Sequence, residues 1–297
     1  MSSRRSCAHG ASAFAVRRLG SAFDVLTYAE LERAWKALRG SGAGIREAAC
    51  VGVPRTLLVA DIPADRGSPA GQHAIAIAAG MHGDEPAGPW ALLSLVRDGL
   101  LDRSFAYRLW LCANPSGYAA GTRANAEGLD INRSFGGGGS TPEARAILTA
   151  NRDRQFALSL DLHEDPEAGG FYCYELSDSG DASPIGPECV RAVEEAGFPI
   201  EEFGPGFDLG YPPGLEQFVH IERGRVVTET DAEFRAFGKS LPYNPGMLRL
   251  RATHRTLTFE TPRLLPWRSR LAMHRLAVVT AIERLRAALA AERGVGH

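Results

Sequence analysis

The stretch 73-HAIAIAAGMHGDEPAGPWALLSLVRDGLL-101 decides the architecture. It opens on a short run in which Ala and Ile alternate, so both faces are apolar. A strand in a sheet covered on two sides needs that pattern. A turn punctuated by Gly and Pro follows, and then "PAGPWALLSLVRDGLL", whose apolar residues recur at helical spacing. Strand, turn and helix in that order form the unit of a layered α/β domain. The turn carries His82 and Glu85. An HxxE pair is equally compatible with a surface turn and with half of a metal site, so the rest of the chain must decide.

Outward from this unit the same alternation continues. "RTLLVADI", "YRLWLCAN", "FALSLDLH", "FYCYEL", "GRVVTET" and "RTLTFE" are further strand-like runs. Helical patterns stand between several of them. "STPEARAILTANRDR" opens on Ser140 or Thr141 with Pro142 in its first turn, "GPECVRAVEEAG" follows "FYCYEL", and "SRLAMHRLAVVTAIERLRAALAAERG" closes the chain. Near the start, Thr27 and Glu30 form a capping box for a helix that Gly40 ends. The alternation predicts one α/β domain over 24–297 with a mixed, largely parallel twisted sheet between helices. The run "FGGGGS" at 135–140 lacks a GK[ST] ending and reads as a flexible loop rather than a phosphate cradle.

Composition narrows the function classes. The chain has 297 residues, is 44% hydrophobic and 23% charged, and carries a formal charge of −2. No basic footprint for a polyanion is present, which argues against nucleic acid. No apolar run approaches the roughly 18 residues of a membrane span. The segment 1–23 is rich in Arg, Ser and Ala, lacks acidic residues, and reads as a flexible basic tail; "ASAFAV" is too short for a signal-peptide core. The five cysteines (Cys7, Cys50, Cys112, Cys173, Cys189) have no paired spacing. That suits a reducing, cytoplasmic setting. Nothing in the sequence fixes an oligomeric state.

In open α/β sheets ligands collect at the carboxyl ends of strands. Three such ends carry chemistry here: His82 and Glu85 follow "AIAIAAG", His163 ends "LSLDLH", and Glu260 ends "TLTFE". Two imidazoles and one carboxylate make a nitrogen/oxygen set suited to Zn2+, with a fourth position open for a water whose pKa falls to about 7. A separate carboxylate must move the proton, and Glu260 is available for it. A lone carboxylate in an apolar strand is costly without a purpose or a partner. His9, His73, His220, His254, His274 and His297 have no comparable setting and read as structural. The loop 114-NPSGYAAGTRANAEGLDINRSF-135 supplies Arg123, Asn125, Asp130, Asn132 and Arg133. It is either a polar surface loop with ion pairs or a set of oxyanion and carboxylate binders beside a metal. In the second case Asp130 would orient a ligand imidazole.

Taken in order, HGDE (82–85), NPSGY with a following Arg (114–123), DINRSF (130–135), DLH (161–163) and FETP (259–262) resemble the zinc metallocarboxypeptidase family, over roughly residues 73 to 262. The bacterial HGxE branch, which includes murein tripeptide amidases, is more similar than the digestive enzymes. The resemblance implies a carboxypeptidase-like fold of about eight strands between helices. It implies His82, Glu85 and His163 as zinc ligands, Arg123 on the scissile carbonyl, and Asn132 and Arg133 on the substrate's terminal carboxylate. It also implies Asp130 behind His82, and Glu260 as general base and then acid. By position, Tyr243 in "LPYNPG" is the candidate for the family's mobile substrate-covering tyrosine, with Tyr211 behind it. The pocket that chooses the side chain falls between 171 and 250, where no motif stands. Gly/Pro-rich segments such as "FGPGFDLGYPPG" shape it.

The expected activity is hydrolysis of an amide next to a free C-terminal carboxylate, on a peptide substrate. Succinylglutamate desuccinylases and aspartoacylases, which hydrolyse N-acyl amino acids, share the HGxE, NP…R, D-x-NR and DLH elements. They place the base earlier and append a β-rich domain. Here Glu260 lies 97 positions after His163 and a helix follows, which favours the peptidase; Glu175 or Glu229 acting as base would shift that preference. A non-catalytic zinc or peptide-binding protein on the same scaffold would lack the base or the oxyanion arginine.

Overall fold

The computed structural model describes residues 27–40, 44–48, 56–68, 70–178, 185–204, 207–211, 213–214 and 219–294. The basic tail at 1–23, with Cys7 and His9, lies outside them, as do Cys50 and His297. Among the described residues, nine strands form one sheet: β1 (Gly44–Ala48), β2 (Leu57–Ile62), β3 (Ala74–Ala79), β4 (Ala106–Trp110), β5 (Leu158–Asp165), β6 (Tyr172–Ser177), β7 (Val219–Glu222), β8 (Arg225–Thr228) and β9 (Arg255–Pro262). Their order is β1-β2-β4-β3-β5-β9-β6-β8-β7. The four central strands, β4-β3-β5-β9, are mutually parallel. β2 joins β4 and β6 joins β9 antiparallel, so the outer strands give the sheet its mixed character.

All seven apolar runs contain strands. The two strands without such a run, β1 and β7, are the edges. "GIREA" and "VHIE" pair on one side only and face solvent, so they carry charge where an inner strand carries Ile or Leu. Alternation places each central strand in two cores at once. Ile75, Ile77 and Ala79 of β3 belong to the larger core, while Ala76 and Ala78 enter the smaller one on the opposite face. Full burial of each Ile contributes about 1.5–3 kcal/mol.

Helices α1 (Tyr28–Ala37), α2 (Ala87–Arg97), α5 (Gly186–Glu195) and α8 (Trp267–Gly294) cover the larger core. Helices α4 (Pro142–Asn151) and α7 (Tyr243–Arg249) cover the smaller one. The capping box of α1 forms: Glu30 N–H donates to Thr27 Oγ1 at 3.3 Å and Thr27 N–H donates to Glu30 Oε2 at 2.7 Å. Thr141 caps α4, with Pro142 in its first turn. Leu158, Leu160 and Leu162 of β5 and Leu257 and Phe259 of β9 enter the larger core. Asp161, His163 and Glu260, one residue out of phase, therefore project from the opposite face. No described helix is long and apolar enough to cross a membrane.

Candidate metal centre and cleft

The carboxyl ends of the parallel strands β3, β5 and β9 lie at the same end of the sheet, and the chain there is shaped by close backbone approaches. A Cβ on Gly83 would lie 1.9 Å from the carbonyl carbon of Gly117, so the HGDE turn sits directly on α3 (Pro115–Ala120). Asn114 caps that helix by accepting from Gly117 N–H at 2.9 Å, while its Nδ2 donates to the Arg123 carbonyl at 3.0 Å. One residue thus fixes the helix under the turn and the loop that carries Arg123. Arg263, just past β9, donates to Asp84 at 2.9 Å and ties down the outer side of the turn. Glu164 accepts from Ala87 N–H at the start of α2 at 2.7 Å and pairs with Arg270 of α8. Burial pushes its carboxyl up to about 6, against the pull of Arg270.

The donor atoms of His82, Glu85 and His163 lie within 4.8 Å of one another, and all three residues are buried. His82 Nδ1 is 2.6 Å from Glu85 Oε1, and His163 Nδ1 is 2.8 Å from Glu85 Oε2. The far ring nitrogens face carboxylates: His82 Nε2 is 3.3 Å from Asp130 and His163 Nε2 is 2.9 Å from Asp161. Two convergent Nδ1 atoms, a carboxylate between them and a carboxylate behind each ring make a donor set that fits a divalent ion such as zinc. Burial acts to raise the Glu85 carboxyl, but the two imidazoles outweigh it and hold the group well below the usual range. Asp130 is likewise held low, by His82 and Arg123 against its burial.

The 121–134 loop closes over this centre. Asn125 Oδ1 accepts from the N–H groups of Glu127 and Leu129, each at 3.0 Å, and holds the loop in a tight turn. Arg123 pairs with Asp130 at 3.0 Å and reaches within 3.3 Å of His82 Nδ1. Asn132 faces His163 Nε2 at 3.4 Å and accepts from Tyr243 N–H at 2.8 Å. The Arg133 guanidinium lies over the Phe237 ring, 5.3 Å from its centroid. A cleft of about 250 Å³ opens beside them, lined by His82, Glu85, Arg123, Asn132, Arg133 and Glu260 among others.

Glu260 sits opposite His163 in the parallel β5–β9 register and opposite Tyr172 across β6. Burial pushes its carboxyl well above the usual range, against the charge of His163. The structure thus brings together His82, Glu85, His163, Asp130, Arg123, Asn132, Arg133 and Glu260.

It does not bring Tyr243 to the cleft. Tyr243 starts α7 with its side chain fully buried, edge-on to Phe135 at 5.3 Å between centroids. Its backbone steadies Asn132, but the ring fills the smaller core, so the substrate-covering expectation is corrected. Tyr211 does line the cleft. Glu175 accepts from Ile185 and Gly186 N–H at 2.8 and 3.0 Å and serves the start of α5, and Glu229 is exposed outside the cleft. Neither competes with Glu260. Three residues that sequence reasoning passed over are Asp161, Glu164 and Glu233. The i, i+2 spacing of Asp161 and His163 on one strand face was a usable signal. No local pattern marked the other two.

Residues 71–200 match the succinylglutamate desuccinylase/aspartoacylase catalytic domain, a span that holds the three donors and the 121–134 loop and stops before Glu260. No curated protein matches the sequence. Among solved structures, a candidate metallopeptidase from Shewanella amazonensis is similar with a TM-score of 0.68 and 24% identity, over 86% of this chain and 92% of that one. A metallo-carboxypeptidase from Burkholderia cenocepacia follows at TM-score 0.62 and 16% identity, over 88% and 69%. Carboxypeptidase A from Helicoverpa armigera gives 0.59 and 17%, over 89% and 74%. The fold is carboxypeptidase-like, and the resemblance read from the sequence motifs is borne out.

Proposed function

We propose that this chain is a zinc-dependent hydrolase that cleaves an amide bond next to a free carboxylate, acting as a carboxypeptidase on peptides. The observation that supports this most is Glu260, a carboxyl with no arginine or lysine bonded to it among the described residues, facing the cleft beside the His82, Glu85 and His163 donors. Held by those donors, zinc would polarise the scissile carbonyl and bring the pKa of a water towards neutrality. Glu260 takes the proton from the attacking water and returns it to the leaving amine. Burial that raises its pKa brings it closer to the working range of a general base at neutral pH. Arg123, whose guanidinium already points at the donors, stabilises the developing oxyanion. Arg133, with Asn132 beside it, holds the terminal carboxylate, which an internal peptide bond cannot offer. Residues 24–297 act as one hydrolase domain in this reading, and the free buried Cys112, Cys173 and Cys189 suit a cytoplasmic setting.

A second reading, hydrolysis of an N-acyl amino acid, is favoured by the family match over residues 71–200. The two are separated by assaying the zinc-loaded chain on peptides with free and with amidated C-termini and on N-acetyl and N-succinyl amino acids. Cleavage restricted to free-carboxylate peptides is the expected result. Turnover confined to N-acyl amino acids would overturn the peptidase in favour of the deacylase.

A further inference from the structure

We infer that the cleft selects a terminal residue with a cationic, lysine- or arginine-like side chain, and that Glu233 is the group that recognises it. This rests on the carboxypeptidase reading for one point only, that Arg133 holds the substrate's carboxylate.

Helix α6 (Thr230–Phe237) presents Glu233 and Phe237 to the cleft one turn apart. Glu233 is 3% exposed. The Tyr211 hydroxyl and the Thr228 hydroxyl, the latter at 2.9 Å, both donate to its Oε1. Among the described residues no hydrogen bond reaches Oε2 and no cation lies within ion-pair distance. A buried carboxylate left in that state is costly, and the cost falls when a cation arrives with donors of its own. Burial pushes the Glu233 carboxyl above the usual range, against its two hydroxyl donors and the charge of Arg133, and a cation arriving beside it would draw it back towards the ionised form.

The walls suit the same guest. Tyr174, Leu176, Tyr211 and Phe237 line the space, and such surfaces accept the methylene stem of a long side chain while aromatic faces attract its charged head. Arg133 is stacked on Phe237, one helical turn from Glu233. A residue anchored there by its carboxylate therefore extends its side chain past Phe237 towards Glu233. An apolar side chain would seal the carboxylate without compensating it. An acidic one would meet like charge.

The test compares L-lysine with L-norleucine, which has the same stem without the ammonium. Binding is measured by calorimetry on the full zinc-loaded chain, wild type and Glu233→Gln, with thermal unfolding as a check that the variant is folded. Wild type should favour lysine by about 10- to 100-fold, the range for a charged hydrogen bond, and Glu233→Gln should bring the ratio close to one. Equal affinities in the wild type overturn the inference with no variant needed, and so does a ratio that survives in Glu233→Gln. Hydrolysis of peptides ending in Lys, Arg, Leu or Glu reads the parent proposal separately. Glu233-dependent lysine binding without cleavage of any peptide defeats the carboxypeptidase reading and leaves the pocket assignment standing. Cleavage of Leu- or Glu-terminated peptides as efficiently as Lys-terminated ones does the reverse.

Discussion

The two sides of the cleft are built differently. On the side of His82, Glu85 and His163, the charged groups are tied to one another in a network, although Asp84 Oδ1, Asp161 Oδ1 and Arg270 Nε are buried without a hydrogen bond. Each imidazole faces a carboxylate, the turn is pinned by Gly83 and Arg263, and Glu164 joins α2 to α8. On the side of Glu233, Tyr211 and Phe237, two hydroxyls serve Glu233 Oε1 and, among the described residues, no hydrogen bond reaches Oε2. In the proposed reading the first side carries the chemistry common to many substrates. The second is incomplete until a substrate supplies the missing charge.

This contrast is sharpened most by Glu260→Gln. Replacing a general base by an isosteric amide should lower kcat by about 10²–10⁴-fold. Bound zinc, measured by atomic absorption on the same preparation, should be unchanged because Glu260 is not one of the three donors. Loss of metal along with activity would put Glu260 in the wrong role.

Next in size is Arg270→Gln, which strands the Glu164 carboxylate in the interior. Breaking a buried pair from one side costs about 3–5 kcal/mol, measurable by urea unfolding. The pH dependence of stability carries a further signature. The Glu164 carboxyl stands at about 6 in the folded chain against an ordinary 4.5. A raised carboxyl favours folding in acid, so its contribution is complete below about 4.5 and is lost as pH rises through about 6. Without Arg270 the loss should extend to higher pH. A variant as stable as wild type at every pH would mean that this side of the cleft is less tightly built than described.

Gly83→Ala should cost about 1–3 kcal/mol in thermal unfolding, because its Cβ has no room against Gly117. It should also weaken zinc binding, since the turn carries two of the donors. The smallest effect belongs to Tyr243→Phe. A ring that fills the core and never meets substrate can lose its hydroxyl with kcat/KM changed by no more than about twofold. A large rise in KM would return Tyr243 to the substrate's side.

The same contrast explains what the sequence revealed. The metal side was legible because its residues are local to strand ends: HGDE after β3, DLH on β5 and FETP on β9 each declare a position as well as a chemistry. The central strands were legible because burial on both faces leaves no polar alternation to confuse them. The edges β1 and β7 escaped because exposed strands carry charge, and α3 and α7 because each is only six or seven residues long and contains Pro and Gly. Tyr243 was assigned by its place in the chain, whereas its i, i+4 partner Met247 in the same core marks it as an inward-facing helical residue. Glu233 had no motif at all. It matters only because a strand end at Thr228, a loop at Tyr211 and a helix meet around it, and that meeting is tertiary.

The most direct test of the central claim is zinc content and peptide hydrolysis of the wild-type chain before chelation, after it, and after zinc is restored. The account expects about one zinc per chain, hydrolysis abolished by the chelator, and recovery on re-addition, as a site of three protein donors with deprotonated ligands requires. Hydrolysis that continues unchanged in the chelated protein, or a chain that binds no zinc, would contradict it.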